Sequence, residues 1–155
     1  MNSIALLKTL LQRAEADRDT AMKVLRQAEA MVAQAQAQAQ QLQNYRSEYD
    51  QRWTTRFRES GTAELLHCHR GFGQRLDQAI THQDQNAQAL GNRVNQAREV
   101  LLAREQRVAA VRKLIERRQA ELGKIAARRD QRNTDEAAQR AAANKTGLNL
   151  AALHP

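Results

Sequence analysis

The chain has 155 residues, a formal charge of +8, one proline, six glycines and an aromatic content of only 3%. So few rings cannot fill an ordinary globular core, and so few breakers favour long uninterrupted helices, which bury a narrow seam and need no central core. The basic balance admits nucleic acid, an anionic membrane or an acidic protein surface as partner.

The first element is a helix expected from about Ser3 to near Phe57. Its apolar positions alternate by four and three through Ile4, Leu7, Leu11, Ala14, Arg18, Ala21, Leu25, Ala28, Val32, Ala35, Ala39, Leu42, Arg46, Tyr49 and Trp53. Only two arginines interrupt this coiled-coil seam. The Ala-Gln tract from Ala33 to Gln41 stays in phase with it and reads as thin helix.

Arg58-Glu59-Ser60-Gly61-Thr62 is the expected turn, with Gly61 in a left-handed conformation and Ser60 or Thr62 capping the next helix. The second helix is expected from about Thr62 to about Asn144, stopped by Lys145-Thr146-Gly147, with a short tail over 145–155. Its seam runs through Leu66, His69, Gly73, Leu76, Ile80, Gln83, Ala87, Leu90, Val94, Ala97, Leu101, Arg104, Val108, Val111, Ile115, Arg118, Leu122 and Ile125. The fold class is therefore all-α: a single long antiparallel coiled-coil hairpin spanning 1–155, with the C-terminal helix overhanging.

Laying the two seams antiparallel, so that facing residue numbers add to about 122, sets large residues against small ones. Leu25 then faces Ala97, Ala28 faces Val94 and Val32 faces Leu90, whereas Ala35 with Ala87 is a thin layer. Arg18 and Arg104 meet in this register and are expected to turn outward, towards Glu15 or Glu105. Arg118 already faces Ile4, so roughly 25 residues of helix two project beyond it, about 40 Å at 1.5 Å per residue.

No apolar run approaches the roughly 20 residues of a membrane span. Met1-Asn2-Ser3-Ile4 lacks the basic region and apolar stretch of a signal peptide, and the lone Cys68 permits no internal disulfide, so a cytoplasmic location is expected. Metal binding by His67-Cys68-His69 is not expected, because consecutive helical side chains point about 100° apart. Neither a phosphate loop nor a catalytic triad is present, so no enzyme activity and no cofactor are expected.

The positive charge is concentrated after Arg98, in the overhanging arm, where it is interleaved with Glu116, Glu121, Asp130, Asp135 and Glu136. Aromatic residues are absent from that arm, which argues against nucleic acid as its ligand. Instead they cluster near the turn: Tyr45, Tyr49, Trp53 and Phe57 at four-residue spacing, with Phe72 and Leu76 just across it. The register brings Tyr49 near Phe72, Tyr45 near Leu76, Leu42 near Ala79 and Gln38 near Gln83. Such a cluster serves either as anchors for a protein partner or as an apolar plug that strengthens the turn.

These features together resemble the flagellar FliJ family. The likeness rests on Leu7 to Leu11, on Leu42 through Tyr45 and Tyr49, on Phe72-(x)3-Leu76-(x)2-Ala79-Ile80, and on Asp130-Gln131 with Asp135-Glu136-Ala137-Ala138-Gln139-Arg140-Ala141-Ala142. The resemblance implies a non-enzymatic stalk of the flagellar type III export apparatus, placed in the cytoplasm and peripheral to the inner membrane. Its implied partners are the hexameric export ATPase, the cytoplasmic domain of the export gate and the export chaperones, without membrane insertion. The family's gate-contact stripe falls here on Gln38, Leu42, Tyr45, Tyr49, Phe72, Leu76, Ala79 and Gln83; at the last of these the family's usual residue is His, and His82 lies beside it. On this reading the overhanging arm meets the ATPase ring through Arg117, Arg118, Lys124, Arg128 and Arg129. The alternatives are the equivalent stalk of a virulence secretion system and a basic hairpin that binds nucleic acid or anionic membrane.

Overall fold

A computed structural model describes residues 3–153. It consists of two helices, α1 over Ser3–Ser60 and α2 over Ala63–Ala151, and no strand occurs among the described residues. The chain divides into two compact units, Ala14–Gln106 and a second formed by Met1–Arg13 with Arg107–Pro155. In each unit a stretch of α1 pairs antiparallel with a stretch of α2.

Within the first unit the buried residues are Ala14, Ala21 and Ala35 on α1 and Leu76, Leu90, Val94 and Ala97 on α2, with Gly73 buried among them. Leu25, Ala28, Val32, Ala39 and Leu42 are half-buried between them. This is the four-three alternation read from the sequence; the remaining faces carry charged and amide side chains together with exposed apolar ones such as Val24, Met31, Val100 and Leu102. Cross-helix contacts fix the register. The Trp53 and His69 rings meet at 4.9 Å, and Tyr49 and Phe72 at 4.7 Å. The first pair lies on the expected register and the second is one residue off it.

Two polar positions in the seam have local explanations. Gln83 spans the thin alanine layer, donating to the Ala35 carbonyl at 3.3 Å and to the Gln38 side-chain oxygen at 3.1 Å. Arg46 donates to Asp50 at 2.6 Å and to Asp77 at 3.0 Å, and its guanidinium lies where a Cβ on Gly73 would come within 3.0 Å of it. A glycine in mid-helix costs about 1 kcal/mol relative to alanine, and here it makes room for a cation bridging two helices.

Arg18 is half-buried and turns to its neighbour Asp19, donating through Nε at 3.2 Å and Nη2 at 3.1 Å. The expected acceptors were Glu15 or Glu105; the adjacent carboxylate is within reach without the side chain leaving the helix surface.

In the second unit Val108 and Ile115 are buried, and Ile4, Leu7, Leu11 and Val111 are half-buried. Arg118 closes this packing with a hydrogen bond to the Ser3 hydroxyl at 3.0 Å. From Glu116 to Leu153 every residue is exposed, including Leu122 and Ile125, so the expected overhang begins where expected.

The turn and the helix end differ from the sequence reading. No described glycine has positive φ, so Gly61 is not left-handed. Its value is space: a Cβ there would lie 3.0 Å from the Phe57 carbonyl oxygen and 3.1 Å from its ring. Thr62 is the cap, its hydroxyl accepting from the Leu65 N–H at 3.3 Å. α1 runs to Ser60 and α2 runs past Lys145-Thr146-Gly147 to Ala151, so that triplet is no stop. One glycine costs a helix only about 1 kcal/mol, and the Thr146 hydroxyl donates back to the Ala142 carbonyl at 2.8 Å.

Candidate partner-docking surface

The eight residues onto which the family's gate-contact stripe maps all lie in the Ala14–Gln106 unit. Gln38, Leu42, Tyr45 and Tyr49 follow a four-three-four spacing on α1, and Phe72, Leu76, Ala79 and Gln83 repeat it on α2. Antiparallel pairing superposes the two runs with the order reversed. Its two ends are joined directly, by the Gln38–Gln83 hydrogen bond at 3.1 Å and by the Tyr49–Phe72 ring contact at 4.7 Å with planes 56° apart.

Exposure divides the stripe into support and surface. Leu76 is buried at 8% exposure, and Leu42, Tyr49, Phe72 and Gln83 are half-buried. Gln38, Ala79 and Tyr45 are exposed, Tyr45 at 48%. A large ring held beside a packed aromatic pair offers contact area at small entropic cost, the usual composition of a protein-binding anchor.

The aromatic layer extends further than the stripe. His69 stacks on Tyr49 at 5.2 Å and meets Trp53 edge-on at 4.9 Å, and the Trp53 indole N–H donates to the Tyr49 hydroxyl at 2.6 Å. The His69 Nδ1 is covered and has no hydrogen-bond partner. Sequence reasoning placed His69 in the seam and treated it as an ordinary residue; its reach to Trp53 was nonetheless in the register, which pairs these two positions.

The five cationic candidates lie in the other unit and are all exposed. Arg118 is committed to Ser3 and to Glu121 at 3.2 Å. Arg117, Lys124, Arg128 and Arg129 form no ion pair among the described residues, so they present their charge to solvent or to a partner. No group of His, Cys, Asp and Glu among the described residues could hold a metal ion, and no helix is long and apolar enough to cross a membrane.

Paired helices with a four-three apolar seam define an all-α antiparallel coiled-coil protein. The family model of the flagellar FliJ protein matches residues 4–147. The chain belongs to that family, and with it to the coiled-coil stalk components associated with flagellar type III protein export. Comparison with curated proteins and with solved structures gave no match.

Proposed function

We propose that this chain joins the export ATPase ring to the cytoplasmic domain of the export gate, and that it assists the cycling of emptied export chaperones. It does so as an adaptor without chemistry of its own, in the cytoplasm and peripheral to the inner membrane. Gln38, Leu42, Tyr45, Tyr49, Phe72, Leu76, Ala79 and Gln83 form the gate surface; Arg117, Arg118, Lys124, Arg128 and Arg129 face the ATPase.

The observation that carries the gate assignment is the Tyr49–Phe72 pair at 4.7 Å with Tyr45 exposed beside it. A plug that served only to hold the helices would draw its largest rings inward. Here Tyr45 is left out, in position to enter a partner's pocket.

Tyr45→Ala tests this with little structural penalty, since the ring is half in solvent. Affinity for the isolated gate domain is expected to fall about 10-fold, the scale of a single interface anchor, with helicity and denaturation midpoint unchanged. Undiminished gate affinity in that variant contradicts the assignment.

A further inference from the structure

Past Tyr49, α1 carries Arg52, Trp53, Arg56, Phe57 and Arg58 before the turn. Cations and rings alternate there at helical spacing, so Arg52 and Arg56 lie one turn apart beside the Tyr45, Tyr49 and Trp53 rings in one open groove. A second groove lies on the other flank of Trp53, lined by Trp53, Phe57, Arg58, Leu66 and His69. Phe57 is 44% exposed. The indole between the grooves is held on two sides, by its hydrogen bond to Tyr49 and its edge contact with His69. Such a ring has little freedom left to lose when something packs against it.

The charge of this face is as one-sided as its chemistry. Arg52, Arg56 and Arg58 form no ion pair among the described residues. Asp50, the acid nearest in sequence to Arg52, is occupied by Arg46 at 2.6 Å, and Glu48 and Glu59 bond to none of the three arginines. Guanidinium groups beside aromatic faces suit a partner bearing carboxylates and a bulky apolar side chain.

We propose that the gate-docking surface continues past Tyr49 onto Arg52, Trp53, Arg56 and Phe57, and that its occupant is an acidic segment of the gate's cytoplasmic domain. That segment seats a large apolar side chain against Trp53 and Phe57 and sets its carboxylates on Arg52 and Arg56. Continuity with the Tyr45–Tyr49 stripe, on the same helix of the same compact unit, assigns the occupant to the gate. The inference therefore rests on the gate reading above.

The test measures affinity of the full chain for the isolated gate domain at low and high salt. Its variants are Tyr45→Ala, Phe57→Ala, the double change Arg52→Glu with Arg56→Glu, and its milder counterpart Arg52→Gln with Arg56→Gln. Helicity is checked throughout, and the glutamine pair decides if the glutamate pair does not fold. The expected result is a loss of about 10-fold or more for the glutamate pair at low salt, shrinking as salt rises, with a smaller loss for the glutamine pair and for Phe57→Ala. If Tyr45→Ala weakens binding while the arginine pairs and Phe57→Ala stay within about twofold of the unmodified chain, the extension is wrong and the gate reading stands. Tighter binding by the glutamate pair overturns the acidic occupant. If no variant changes affinity, the gate reading falls and takes this inference with it.

Discussion

Changing Arg117, Lys124, Arg128 and Arg129 together to glutamate is expected to weaken association with the export ATPase by about 100-fold or more at low salt, with affinity for the gate domain unchanged. These four side chains are exposed and form no ion pair among the described residues, so reversal breaks no ion pair there. Arg118 is left alone because it bonds to Ser3 and Glu121. Exposed charge pairs contribute up to about 1 kcal/mol each. At about 0.7 kcal/mol per site the four together reach about 2.8 kcal/mol, and each 1.4 kcal/mol is tenfold in affinity. The loss should diminish as added salt screens the pairs. Unaltered ATPase association in this variant contradicts the assignment of the arm.

Leu90→Ala is expected to destabilise the chain by about 2–4 kcal/mol in urea denaturation, the cost of removing a buried leucine and leaving its space unfilled. Leu90 is 8% exposed in a seam otherwise rich in alanine, so few neighbours can move in to refill the site. Leu102→Ala is the matched comparison. At 55% exposure it lies off the seam, and its loss should stay within about 0.5 kcal/mol. Equal effects of the two substitutions would mean that the helices do not pair through the four-three positions.

The contrast between Leu90 and Leu102 was legible in the sequence because a coiled coil writes its packing into one spacing. From Ile4 to Trp53 and from Leu66 to Ile115, each position read as seam is buried or half-buried. The register followed from laying the two seams antiparallel at a sum of about 122, and it anticipated the Tyr49–Phe72 contact and the Gln38–Gln83 bond. Decisions that turn on one residue's local balance were less legible. Gly147 has the residue type of a helix stop, yet its penalty is small and α2 passes through it. Gly61 has the residue type of a left-handed turn and instead avoids a clash with Phe57. Arg18 had several carboxylates in reach, and spacing alone does not rank them.

The docking surface divides along the same line. The residues of the candidate stripe come from the family's pattern, and the structure brings its two ends together by a ring contact and an amide bond. How far the aromatic layer extends could not be read from the sequence, because the stacking of His69 between Tyr49 and Trp53 depends on ring orientation, which periodicity does not encode.

In the proposed function one chain engages two partners at once through separate surfaces. The most direct test mixes the intact chain with the export ATPase and the isolated gate domain and measures the mass of the resulting complex by size-exclusion chromatography with light scattering. A ternary species containing all three proteins is expected, losing gate-domain content with Tyr45→Ala and losing ATPase content more strongly with the four-site charge reversal. Mutually exclusive binding, in which the gate domain displaces the ATPase from the chain, would contradict it.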